Sequence, residues 1–378
     1  MKKIFKVGSM FAGVGGICLG FLQAYNPNAE YQLVWANEID EYACETYRNN
    51  FHHTLLEGDI NKVLNPNLAS DNIEKKYYEN LHNVILSTPI DILNGGFPCQ
   101  AFSIAGKQKG FDDDRGNLFL SIIELINQLG KKFYKPRILL LENVKNLKSH
   151  DGGNTYTHIK NELQKAGYII KEAIINTMNY SNLPQNRERL YIIGFLNEYD
   201  ANNFNLFDNL QSYEVYKSKE NRINDIKKIL NFSITDNKYF YTKEKYPKYF
   251  ISQNDFQLNN NGKCARINLD EEINEMYQFY QIRRGMYVRK NQNNVCPTLT
   301  ANMGTGGHNV PLILTPTGIR KITPREAFNL QGFPNNYTLP TKFKERTLSD
   351  SHLYKQAGNS VSVPIIQMIT EYLLNILV

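Results

Sequence analysis

The residues best suited to covalent and acid–base chemistry fall in short polar clusters beside apolar runs. Cys99 stands in Gly95-Gly96-Phe97-Pro98-Cys99-Gln100, directly after such a run. A thiol on a Gly-Gly-Phe-Pro turn at a strand end is held stiffly and exposed, as a nucleophile requires. A free thiol titrates at about 8.5, and cations lower that value; Lys107, Lys109 and Arg115 are close in sequence. A buried structural cysteine is the alternative. Glu142-Asn143-Val144 follows the run Arg-Ile-Leu-Leu-Leu and brings a carboxylate to a second strand end near Cys99. Gln185-Asn186-Arg187-Glu188-Arg189 precedes a further apolar run. Alternate residues of an extended segment share a face, so both guanidinia would point one way; a surface ion-pair ladder would look the same.

A second group suits ligand binding. Phe11-Ala12-Gly13-Val14-Gly15-Gly16 follows the first apolar run. Glycines there let the backbone turn tightly against a ligand, and a following helix N-terminus favours polar or anionic groups. Glu38 comes after the second run, where a ribose hydroxyl would bind, and Asp59 after the third, where an adenine amino group would be read. These elements in this order point to an adenosine-containing cofactor. The glycine spacing is not GxGxxG, which makes a dinucleotide oxidoreductase the weaker reading.

These clusters need a scaffold that brings strand ends together. Apolar runs at residues 4–11, 32–36, 55–56, 90–93, 137–141, 168–175 and 189–195 alternate with helical periodicity through 16–24, 41–48, 118–129 and 155–166. That alternation predicts an α/β fold with a doubly wound, mostly parallel sheet covered on both faces. The pattern changes near Asn197. The following stretch is rich in Asn, Lys and Tyr without a steady period, and residues 287–294 and 298–314 read as irregular strands with Gly turns. The expected division is a catalytic and cofactor-binding domain at 1–198 plus 355–378, with a smaller, irregular, β-rich domain at 199–354. Residues 363–378 are apolar at helical spacing and should pack back on the first domain.

Composition narrows the class. With 378 residues the chain can bury a core without disulfides. Its five cysteines form no CxxC pair, which fits a reduced cytoplasm and argues against a zinc ribbon. No apolar run approaches a membrane span, and the N-terminal residues do not read as a signal peptide. A net charge of +6 permits a nucleic-acid partner without demanding one.

The order FAGVGG, Glu38, Gly58-Asp59-Ile60, GFPCQ, Glu142-Asn143-Val144, QNRER, a variable segment, TPREAFNLQGFP and Gly358-Asn359-Ser360-Val361 resembles the bacterial cytosine-5 DNA methyltransferase family of restriction–modification type, over almost the whole chain. The resemblance implies the S-adenosylmethionine-dependent methyltransferase fold. It also implies methyl transfer to C5 of a flipped-out cytosine in a short duplex site, through a covalent bond from Cys99 to C6. Glu142 would bond N3 and the exocyclic amine, and Arg189 with Arg187 would bind the O2 side. By the same resemblance Phe11, Gly13, Gly15, Gly16, Glu38, Ile39, Asp59, Ile60, Pro98, Leu118, Asn359, Ser360 and Val361 form the cofactor pocket. Residues 101–116, with Ser103, Lys107 and Arg115, resemble a catalytic loop that closes over DNA beside Gln100. No metal is implied. The implied partners are duplex DNA and, functionally, a restriction endonuclease encoded nearby; no membrane is involved, and a monomer is expected.

Residues 200–315 correspond to the family's target-recognition region. There Tyr280, Arg283, Arg284, Tyr287, Arg289 and Lys290 interleave cations with aromatics, and Thr298-Leu299-Thr300 with Gly304-Thr305-Gly306-Gly307-His308 would let backbone approach a groove; a solvated basic face is the plainer alternative. Two departures stand out: Ile39 replaces a frequent aromatic, and residues 61–90, with Lys75, Lys76, Tyr77 and Tyr78, form an insertion without an assigned role. Competing readings are a transfer-RNA cytosine methyltransferase, disfavoured by the long variable segment and the bacterial-type loop, and an inactive DNA-binding relative, disfavoured by the intact Cys99, Glu142 and arginines.

Overall fold

A computed structural model describes residues 1–97, 117–215, 217–251, 267–304 and 309–378. The chain divides into two compact units: Met1–Asn176, Glu188–Glu214 and Val363–Val378 make the first, Thr177–Arg187 and Val215–Ser362 the second.

In the first unit the strands β1 (Lys3–Met10), β2 (Ala29–Glu38), β3 (Thr54–Glu57), β4 (Ile92–Gly95), β5 (Ile138–Val144), β6 (Ile169–Asn176) and β7 (Glu188–Phe195) form a sheet in the order β3-β2-β1-β4-β5-β7-β6. The pairs among β1 to β5 are parallel, whereas β7 runs antiparallel to both β5 and β6. Helices α1 (Gly16–Gln23), α2 (Glu41–Arg48), α3 (Ile60–Leu64), α4 (Asn72–Ser87), α5 (Asn117–Lys132) and α6 (Asn154–Lys165) connect the strands. Ile92, Leu93 and Ile138 to Leu141 are all buried, as the central strands of a sheet covered on both faces must be. Gly8 on β1 admits the ring of Trp35 from β2: a Cβ there would lie 2.4 Å from a ring carbon. The C-terminal helix Val363–Leu377 packs on α1, with Ile366 against Gly20. Residues 350–377 are long and apolar enough to cross a membrane by composition, and most of their apolar window is buried in the protein.

The second unit contains a small antiparallel sheet of β8 (Tyr280–Arg283), β9 (Tyr287–Lys290), β10 (Leu312–Thr315) and β11 (Gly318–Lys321), in the order β11-β10-β8-β9. Tyr241, Tyr249, Ile267, Leu269, Ile273, Ile282, Leu312 and Ile319 form its core. Among the described residues of the stretch expected as strand at 298–314, the strand begins at Leu312, and Ala301–Gly304 is a 3-10 turn.

The units divide the chain differently from the boundaries at 199 and 355, and packing gives the reasons. Residues 199–214 stay with the sheet: Asp200 is fully buried and takes two hydrogen bonds from Arg137, at 2.6 and 2.7 Å. Residues 177–187 join the second unit through Gln185, whose side chain donates to Leu330 O at 2.7 Å, and through Asn186 N–H, which donates to Cys296 O at 2.8 Å. Residues 355–362 join it because Gly358 lies against the backbone of Thr300, closer than any Cβ would permit.

Candidate active site

In the first unit the predicted functional residues gather at one edge of the sheet. Phe11 follows β1, Glu38 ends β2, Asp59 follows β3, Phe97 follows β4 and Glu142 lies near the end of β5. Open α/β sheets bind ligands outside the carboxyl ends of their strands.

The reversal of β7 completes this edge. Because β7 is antiparallel to β5, its first residues lie at the end of β5, with Arg189 opposite Val144. Glu142, two residues earlier, shares the Val144 face and becomes the diagonal neighbour of Arg189. Arg189 Nε lies 3.0 Å from Glu142 Oε1, yet among the described residues that buried oxygen accepts no hydrogen bond. We take the distance as a charge contact whose N–H is aimed elsewhere, which leaves the carboxylate with acceptor capacity. Glu142 Oε2 lies 3.4 Å from where a Cβ on Gly96 would stand, so the glycine leaves room for the carboxylate.

Asn143 ties this edge to the cysteine turn. Its buried amide donates to Phe97 O at 2.9 Å, and its Oδ1 accepts the Val144 N–H at 2.8 Å. Phe97 is the last described residue before Pro98 and Cys99. Pro98, Cys99, Gln100, Ser103, Lys107 and Arg115 lie outside the described residues. The described cysteines, Cys18, Cys44 and Cys296, are buried, and burial pushes their thiols up, Cys44 to about 12. Raised, enclosed thiols are poor nucleophiles.

The glycine loop is organised by Glu38. One carboxylate oxygen accepts the Gly13 N–H at 2.7 Å; the other accepts those of Ile39 and Asp40, each at 2.8 Å. Burial pushes the Glu38 carboxyl up, and these backbone donors pull against that. Phe11, Gly13 and Gly15 all have positive φ, at 54°, 56° and 77°. A non-glycine residue is strained in that region, and such strain gathers at functional sites. Gly15 also packs on the Phe51 ring, leaving a Cβ 2.3 Å from it. No described atom lies within 4 Å of a Cβ position on Gly13. An open backbone cradle beside a half-buried carboxylate that accepts three backbone N–H groups fits the ribose end of an adenosine cofactor. Asp59 caps α3 by accepting the Asn61 N–H at 2.9 Å. Ile60 directs its side chain into the core, so only its backbone is suited to a ligand edge; Leu118 packs on that core and Ile39 is exposed. Gly16 is buried in the first turn of α1.

The other expected site residues that the structure describes belong to the second unit. The buried guanidinium of Arg187 donates to Leu299 O at 2.9 Å, to Gly358 O at 3.4 Å and to Ser360 O. These bonds tie it to carbonyls of the second unit. The side chains of Leu299 and Tyr280 are wholly buried. Thr298 donates to Asn186 O at 2.6 Å, and Thr300 is exposed. Arg284 occupies a positive-φ position in the β8–β9 turn; Arg284, Tyr287 and Arg289 are exposed and Arg283 partly so, with Arg289 donating to Gln281 at 2.5 Å and Lys290 paired with Glu275. Asn359, Ser360 and Val361 belong to the second unit; the buried Ser360 hydroxyl has no hydrogen-bond partner among the described residues. His308 and residues 305–307 lie outside the described residues. Sequence reasoning did not single out Asn143 as the tether of the cysteine turn; its place inside Glu142-Asn143-Val144 was the available signal.

Comparison with known proteins identifies the family and the fold. The model of the family described as C-5 cytosine-specific DNA methylase matches residues 5–375. The type II methyltransferase M.Bsp6I of Bacillus sp. (strain RFL6) is 42% identical over 370 residues, covering 97% of this chain and 98% of that protein. M.HpaII of Haemophilus parainfluenzae is 33% identical, covering 97% and 88%. Among solved structures, the Dnmt2 methyltransferase of S. pombe superposes with a TM-score of 0.66 at 18% identity, covering 99% of both chains, and shares the fold.

Proposed function

The chain belongs to the C-5 cytosine-specific DNA methylase family, and on that premise we propose that it methylates C5 of a cytosine within a short duplex DNA site, as the modification enzyme of a restriction–modification system. The observation that carries the site assignment is Glu142, buried beside Arg189 with an unfilled acceptor and joined through Asn143 to the turn leading to Cys99.

Cytosine C5 is too weakly nucleophilic to take a methyl group unaided. Cys99 adds its thiolate to C6, which breaks the ring's aromaticity and makes C5 enamine-like. Glu142 bonds N3 and the exocyclic amine as charge develops there, while Arg189 holds the carboxylate in place and, with Arg187, faces the O2 side. C5 then takes the methyl group as the sulfonium S–CH3 bond breaks and its electron pair stays on sulfur, leaving S-adenosylhomocysteine. A base removes the C5 proton, and the electron pair of that C–H bond re-forms the double bond as the Cys99 thiolate leaves C6. None of this is accessible in a stacked duplex, so the base is flipped out. The Phe11 to Gly16 loop, Glu38 and Asp59 would hold S-adenosylmethionine, which would supply the electrophilic methyl group. The reaction calls for no metal. Residues 200–315 select the site, with the β8–β9 arginines against the duplex; the working form is a monomer, and a restriction endonuclease is the functional counterpart.

Methylation-sensitive sequencing of a plasmid library from cells making the protein tests this reading. It expects 5-methylcytosine at one short site, and a different site when residues 200–315 are exchanged for a relative's in a folded, active chimera. Methyl transfer to transfer RNA with none to duplex DNA would replace it with the RNA-modifying alternative.

A further inference from the structure

Residues 61–90 had no role from sequence, and the structure assigns them one: we infer that Tyr77 and Tyr78 on α4 are positioning residues that fix the turn Glu57-Gly58-Asp59 and so aim Asp59 at the cofactor's adenine. The inference rests on the proposed assignment of Asp59 to the adenine edge.

The turn is held from two sides. From β2, Asn37 donates its amide to Leu56 O at 2.8 Å and Gly58 O at 3.0 Å, and the Glu38 carbonyl accepts the Gly58 N–H at 2.8 Å. From α4, the Tyr77 hydroxyl donates to Glu57 O at 2.5 Å, and the Tyr78 hydroxyl accepts the Asp59 N–H at 3.2 Å. Tyr78 is buried, and its ring comes so close to Gly58 that a Cβ there would lie 2.8 Å from a ring carbon. The helix carrying both tyrosines is itself docked on α3: Lys62 pairs with Glu74 at 2.7 Å, and His82 Nδ1 meets Val63 O at 2.9 Å. Asp59 is the N-cap of α3, so a bond to its own N–H constrains the backbone from which its carboxylate projects. The remaining polar tie on that N–H comes from the insertion.

The test uses full-length wild type, Tyr78→Phe, Tyr77→Phe and Asp59→Asn. Calorimetry gives the Kd of each for S-adenosylhomocysteine and for S-inosylhomocysteine, in which a carbonyl oxygen replaces the adenine amino group. Tyr78→Phe removes the acceptor and keeps the ring; Asp59→Asn keeps a side chain that caps helices well. Asp59→Asn should reduce the preference for the adenosyl ligand by about tenfold. Tyr78→Phe should reduce the same ratio by about threefold to tenfold, the scale of one hydrogen bond, and Tyr77→Phe by less. A loss of packing alone would weaken both ligands alike and leave the ratio unmoved. If Asp59→Asn collapses the preference while both tyrosine variants keep the wild-type ratio, the inference is overturned and the pocket assignment stands. An unchanged ratio in Asp59→Asn overturns the pocket assignment and the inference with it. Should Tyr78→Phe fail to fold, Tyr77→Phe, at a half-exposed position, decides by the same ratio.

Discussion

The molecule contains two Arg–Glu pairs of opposite character, one in each unit. In the second unit Glu326 is saturated. One oxygen accepts Arg320 and the Asn231 N–H, both at 2.7 Å; the other accepts Arg320 at 2.8 Å and the Thr323 N–H at 2.7 Å. Thr323 and Glu326 also close a capping box on the helix Pro324–Leu330. In the first unit Glu142 meets Arg189 at 3.0 Å with an oxygen that accepts no hydrogen bond among the described residues. Both pairs use the same functional groups. The difference is that the first has no capacity left for a ligand, whereas the second retains it at a sheet edge. Unfilled capacity, rather than the presence of a charged pair, is what would suit Glu142 to the proposed catalytic role.

That contrast breaks most visibly at Glu326. Removing one partner of a buried ion pair leaves an uncompensated charge, so Glu326→Ala should destabilise the fold by about 3–5 kcal/mol, read from urea unfolding. A loss below about 1 kcal/mol would mean that the pair is not the structural anchor described. Glu142→Gln should behave in the opposite sense. Its unfolding midpoint should stay close to wild type while turnover on duplex DNA falls roughly 10²- to 10³-fold, the scale of losing one oriented group at a developing charge. Loss of stability without that loss of turnover would place Glu142 with Glu326 as structural.

A smaller effect separates the glycine loop's support from the pair. Tyr47 packs near Gly15, and its hydroxyl lies 2.6 Å from His53 Nε2. Burial, with neighbouring His52 adding to it, pushes His53 down from 6.5 to about 4. The folded state therefore favours the neutral ring. Its contribution is fully present above about pH 6.5 and is lost as pH falls toward 4. Thermal unfolding across that window should show a shallower acid loss in His53→Asn than in wild type; identical slopes would remove His53 from the account.

The sequence made the parallel half of the sheet and its strand-end motifs legible, because strand, turn and helix alternate locally from Lys3 to Val144. The direction of β7 is a long-range property, and it decides which edge receives Arg189. Arg187 and Arg189 looked alike because alternation along one strand was the only information available; the structure assigns Arg187 to carbonyls more than a hundred residues away in sequence. Leu299 and Tyr280 sat within polar, aromatic stretches that read as surface, and tertiary packing buries both. The insertion at 61–90 was silent because its tyrosines act through a turn that sequence reasoning treated as complete in itself.

The central claim is that this sheet edge carries out covalent catalysis through Cys99. Duplex DNA carrying 5-fluorocytosine at the recognised cytosine, incubated with S-adenosylmethionine, would trap the adduct because fluorine cannot leave as H5 does. Intact mass spectrometry should show a stable protein–DNA species for wild type and none for Cys99→Ala. A stable adduct formed by Cys99→Ala would contradict the account.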